Sequence, residues 1–84
     1  MFSINWSKTA ARQLAKIAST DRRRITAAVS TLADLPNAGN VKALKQHQYG
    51  YRLRVGSYRV LFDADTSIRI VSIQQVKKRD DHTY

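Results

Sequence analysis

Phe2, Ile4 and Trp6 alternate with Ser3 and Asn5 at the start of the chain, the period of two expected of a half-buried strand at or beside a sheet edge. The period then lengthens. Ser7 is placed to cap a helix from Lys8 to about Ala18, with Ala10, Leu14, Ile17 and Ala18 forming an apolar stripe and Lys8, Arg12 and Lys16 outside it. Ser19-Thr20-Asp21 interrupts the stripe and predicts the cap of a second helix, from about Asp21 to Ala33, with Ile25, Ala28, Val29 and Leu32 facing inward. Leu35-Pro36 ends it. So short a connection predicts an antiparallel helix pair.

Residues 37–48 carry turn formers and no clear period apart from Val41, Ala43 and Leu44, which predicts a connecting loop with a hydrophobic anchor. Alternation returns in the run from Tyr51 to Phe62. Gly56-Ser57 at its centre fits a type II′ turn, so that Val55 faces Tyr58, Arg54 faces Arg59, Leu53 faces Val60 and Arg52 faces Leu61. After a turn at Asp63–Ser67, the β-branched run from Ile68 to Val76 predicts a third successive strand. The fold class is α+β, in the order β-α-α-β-β-β: an antiparallel sheet with an N-terminal helical hairpin packed on one face, in one domain over residues 1–84.

That register also sorts the side chains. Tyr51, Leu53, Val55, Tyr58, Val60 and Phe62 turn toward the helices, which sends Arg52, Arg54 and Arg59 to the open side. Arg54 directly across from Arg59 costs about 0.2–1 kcal/mol in like-charge repulsion, a conflict that an anionic ligand relieves. Composition agrees: fifteen Lys and Arg against six Asp and Glu give a net charge of +9, which favours nucleic acid, an acidic protein or a membrane surface. The chain has no cysteine and only two, widely separated histidines, so neither a metal site nor a cofactor is expected. No run is long and apolar enough to span a membrane and the N-terminus has no signal pattern, so the expected location is the cytoplasm, with no membrane partner.

Arginine grips phosphate in a bidentate fork and stabilises the added negative charge of a pentacovalent transition state. Arg79, His82 and Tyr84, in the polar segment leaving the last strand, can reach the same surface if that strand lies beside the hairpin. Tyrosine stacks on unpaired bases and histidine moves protons near neutrality. RNA brings its own nucleophile, a 2′-hydroxyl, which suits a chain without cysteine or an acidic metal cluster. Arg22-Arg23-Arg24 reads equally as a contact to RNA or protein and as a solvated run.

The stretches Lys42-Ala43-Leu44-Lys45, Tyr51-Arg52-Leu53-Arg54-Val55-Gly56-Ser57-Tyr58-Arg59-Val60 and Lys78-Arg79-Asp80-Asp81-His82-Thr83-Tyr84 resemble the RelE branch of the RelE/ParE toxins of bacterial toxin-antitoxin systems. The resemblance implies a toxin that enters the ribosome, cuts mRNA without a metal, and is inhibited by a cognate antitoxin in a hetero-oligomer. By position it implies catalytic roles for Arg54, Arg59, Arg79 and Tyr84, and His82 is a further catalytic candidate, although Thr83 separates it from the tyrosine that a terminal histidine directly precedes in a related branch. Phosphate binding is expected of Arg52, Lys45, Lys77 and Lys78. The departure is at Arg52 and Arg54, where the best-known RelE carries lysines, one of them proposed as general base. Arginine, whose guanidinium holds its proton far above physiological pH, is a very poor base. Either Arg54 acts only electrostatically or His82 takes part in proton transfer. Two other functions fit the same pattern: a ParE-like inhibitor of DNA gyrase, which does not need the charged cluster, and an inert module that only holds RNA or an antitoxin.

Overall fold

A computed structural model describes residues 1–35 and 37–78. Strand β1 (Ser3–Trp6) leads into helices α1 (Lys8–Ala15) and α2 (Ser19–Ser30), the latter continued by a 3₁₀ turn at Thr31–Asp34. Strands β2 (Val41–Ala43), β3 (Tyr51–Val55), β4 (Tyr58–Asp65) and β5 (Ile70–Lys78) follow. The five strands form one sheet in the order β1-β5-β4-β3-β2. The expected α+β order is therefore present, and the differences have local causes.

The first difference is β2, where a loop was expected. Its pairing with β3 sets Val41 against Leu53, Lys42 against Arg52 and Ala43 against Tyr51, so the alternation of Val41 and Ala43 was the strand signal in a segment too short to show a period. The second is direction. β1 runs parallel to β5, the other pairs being antiparallel. Alternation fixes which face a residue occupies but not which way its strand runs. The last strand begins at Ile70 rather than Ile68, because Ile68 is exposed in the preceding turn and Arg69 takes a left-handed φ of 56°.

Ser7 caps α1 as expected, its hydroxyl accepting from Ala10 N–H at 3.0 Å. The helix stops early, since Lys16 and Ile17 close onto Gln13 and Leu14 with three-residue bonds and Ala18 passes to the N-cap of α2. No side chain of Ser19, Thr20 or Asp21 makes the α2 cap bond. At the other end, Ser30 and Thr31 hydroxyls donate back to the Ala27 and Ala28 carbonyls, both at 2.6 Å, where the helix tightens into its 3₁₀ turn.

Each helix packs chiefly on the sheet, α1 along β5 and α2 over β3. Ala10, Ile25, Val29 and Leu32 meet Leu53, Val60, Phe62, Val71, Ile73 and Val76 in one buried cluster. Helix α1 also takes over the edge of β5 where β1 ends. Ser7 N–H donates to Ile73 O at 2.9 Å, Ser7 Oγ donates to Gln74 O at 3.0 Å, and Gln13 Oε1 accepts from Val76 N–H at 2.7 Å. Ser7 thus serves two elements. Ser7→Ala is expected to lower stability by about 1–2 kcal/mol, read as a lower urea midpoint at unchanged slope, with Ser7→Thr restoring most of it. An unchanged midpoint in Ser7→Ala would refute this double role.

Candidate nucleic-acid interface

The Gly56-Ser57 turn sets the site. Gly56 has φ of 55° and Ser57 is not left-handed, as a type II′ turn requires, and the hairpin register is the one expected from sequence: Val55 with Tyr58, Arg54 with Arg59, Leu53 with Val60, Arg52 with Leu61. Two rows of side chains consequently cross the face opposite the helices. One runs Lys42, Arg52, Leu61, Gln75 from β2 to β5, and the next runs Arg54, Arg59, Lys77 from β3 to β5. A register shift at Leu61/Phe62 leaves Gln74 as an extra residue in β5, which keeps Gln75 and Lys77 on the face of Leu61 and Arg59 while Ile73 still faces the core beside Phe62.

The structure therefore brings Arg52, Arg54, Arg59 and Lys77 together. Lys78 pairs with Tyr58 and so has the parity of the helix-facing side at the end of β5. Lys45 is exposed in the loop between β2 and β3. Arg79, His82 and Tyr84 lie outside the described residues.

Arg52 is partly withdrawn from solvent, and among the described residues its Nε, though buried, has no hydrogen-bond acceptor. A buried donor left unpaired costs roughly 1–3 kcal/mol, which an incoming oxyanion would recover. Arg54 stands beyond the end of β2, its N–H bonded to Asn40 O at 3.1 Å, and it also lines a cavity of about 500 Å³ with Asp34, Thr31 and Asn40. The ion pair Arg24–Asp21, at 3.8 Å, lies on α2, with the Arg24 guanidinium beside the Gly56 turn.

The β2–β3 loop, residues 44–50, contributes contacts that no local pattern in the sequence marks. Leu44 N–H donates to Gly50 O at 2.8 Å, closing the loop. Gly50 N–H donates to Asp63 Oδ1 at 2.8 Å, and Gln74 Nε2 approaches Asp63 Oδ2 at 3.4 Å. Tyr49 N–H donates to His47 Nδ1 at 3.1 Å, and the Tyr49 hydroxyl lies 3.4 Å from Gln75 Nε2, on the open face. His47 thus spends Nδ1 within the loop, leaving its other ring nitrogen as the proton-bearing one in the neutral form. Asp63 likewise has both oxygens engaged. Lys42 was also missed, for the same reason as β2 itself.

In chemical terms the face gathers arginines at two adjacent sheet levels, the residue type that pairs with phosphate and with added negative charge on it. Among the described residues no helix is long and apolar enough to cross a membrane.

The sequence model for ParE toxins of type II toxin-antitoxin systems (parDE) matches residues 4–82. No curated protein sequence matches the chain. Several solved structures do match in fold. The isolated E. coli RelE toxin superposes with a TM-score of 0.81 at 15% identity, over 99% of this chain and 89% of that one. The archaeal RelE-RelB complex from Pyrococcus horikoshii OT3 gives 0.78 at 20% identity, over 95% and 97%. The toxin-antitoxin complex RelBE2 from Mycobacterium tuberculosis gives 0.66 at 29% identity, over 93% and 98%. With the family pattern running through all but the ends of the sequence and the fold agreeing, the chain belongs to the ParE toxin family of type II toxin-antitoxin systems, in the RelE/ParE superfamily and with a RelE-like fold.

Proposed function

We propose that this toxin is a ribosome-dependent mRNA endoribonuclease, acting by attack of a 2′-hydroxyl on the adjacent phosphorus. The observation that carries the reading is the pair of cationic rows on the open face, with Arg54 and Arg59 in register beside Arg52 and Lys77. Arg59 and Arg52 hold the scissile phosphate and stabilise its added charge, and Arg54, too weak a base to take a proton, works electrostatically. The bond from the 2′-oxygen to phosphorus forms while the bond from phosphorus to the 5′-oxygen breaks. The 2′ proton passes to a base, for which His82 is the candidate, and the 5′-oxygen acquires a proton. Arg79 adds a further cation and Tyr84 a stacking surface. Inhibition falls to a cognate antitoxin that neutralises this face, a partner suggested by the toxin-antitoxin complexes among the structural neighbours.

Primer extension on mRNA with and without ribosomes tests the reading. The expected result is cleavage only with ribosomes, leaving a 2′,3′-cyclic phosphate and a 5′-hydroxyl. The match to ParE toxins favours a second reading, inhibition of DNA gyrase through protein contacts. Purified protein that leaves ribosome-bound mRNA intact but blocks supercoiling would establish that one instead.

A further inference from the structure

The loop at 44–50 is not part of the cationic rows, yet it is fastened to them. Tyr49 belongs to the approach to β3, but its hydroxyl meets Gln75 on β5, two strands away, so the phenol lies across β4. The residue between Arg52 and Gln75 in that row is Leu61, which is 5% exposed although it points away from the helices. Tyr49 itself is only half-buried. The Tyr49 side chain thus reaches across the row that holds Arg52 and Leu61, next to the row of Arg59, with part of the residue open to solvent.

We infer that Tyr49 is a stacking platform for an unpaired base of single-stranded RNA whose phosphate sits on Arg52 and Arg59, and that Asp63 is its positioning residue. This rests on the RNA reading of the face and adds to it the place where a nucleobase is held. The occupant follows from charge and shape together: a polyanion is drawn to the rows, and a polyanion with exposed π-faces satisfies the ring as well. Asp63 acts through the backbone. Its Oδ1 takes the Gly50 N–H next to Tyr49, and its Oδ2 faces Gln74, the extra residue in β5, so one carboxylate ties the loop to two strands. The His47 ring secures the Tyr49 N–H from the other side.

The test uses the full chain and a fluorescent, uncleavable 2′-O-methyl RNA, with and without a single abasic position, followed by anisotropy over a salt series. Tyr49→Phe should bind like wild type, whereas Tyr49→Ala and Tyr49→Leu should bind about 5- to 150-fold more weakly, the range expected for one base–aromatic stack. With the abasic RNA that difference should vanish. Tyr49→Trp, in a Trp6→Phe background so that it is the sole indole, should be quenched by the intact RNA and not when the contacting base is missing. Asp63→Ala should lose the discrimination against the abasic RNA and Asp63→Asn should recover it, since the amide oxygen still accepts from Gly50 while both variants lack the charge. Salt-dependent binding by wild type that Tyr49→Ala and Tyr49→Leu leave intact overturns the role of Tyr49 alone. No salt-dependent binding by wild type overturns this inference, while the RNA reading of the face stands or falls with the ribosome cleavage assay.

Discussion

Replacing Arg59 by alanine is expected to lower the single-turnover cleavage rate on ribosome-bound mRNA by about 10²–10³-fold while leaving the fold intact. Arg59 is the middle member of its row, with Arg54 on one side and Lys77 on the other, and its strand is the central one of the sheet. A donor held in a central strand is pre-organised, so its contribution appears when charge develops on phosphorus and not merely on binding. Removing one such donor typically costs two to three orders of magnitude. Arg59→Lys keeps the charge but loses the planar fork, and should fall between wild type and alanine. Far-UV circular dichroism and the urea midpoint separate loss of chemistry from loss of structure. If Arg59→Ala remains folded and cuts ribosome-bound mRNA at the wild-type rate, Arg59 is not part of the site.

The legibility of that arrangement differs sharply between its parts. The hairpin was fully readable because a two-residue turn with glycine at its first central position leaves one pairing, and pairing fixes faces. Arg52, Arg54 and Arg59 therefore fell where they were expected. Lys77 needed more than alternation, since the extra residue at Gln74 changes the parity of β5 partway along. The same parity separates Lys78 from the cationic rows. The 44–50 loop was illegible for a different reason. Its contacts, Tyr49 with Gln75 and Gly50 with Asp63, join residues 26 and 13 positions apart through side chains, which no local period records. In the helices, the apolar stripes at Ile25, Val29 and Leu32 were clear, while the ends depended on competition between caps and three-residue bonds that propensity does not decide.

Phe62→Ala is expected to destabilise the protein by about 3–5 kcal/mol, the usual cost of emptying a buried phenylalanine site. Phe62 is wholly buried in β4, and its ring stacks on Tyr51 of β3 with centroids 5.4 Å apart and planes 16° from parallel. A domain of this length has a total stability of roughly 4–13 kcal/mol, so the variant sits near the edge of folding at physiological temperature. Phe62→Leu keeps most of the volume and should cost far less. A double-mutant cycle with Tyr51→Leu should give a coupling of about 0.5–1.5 kcal/mol, the part that belongs to the ring pair and not to burial. A Phe62→Ala protein with the wild-type urea midpoint would show that the β4 core face does not hold the sheet together. The functional consequence separates this variant from Arg59→Ala. Phe62 and Arg59 occupy opposite faces of one strand, so losing Phe62 lowers activity in proportion to the unfolded fraction and stabilising osmolyte restores it, whereas the Arg59→Ala defect persists in fully folded protein.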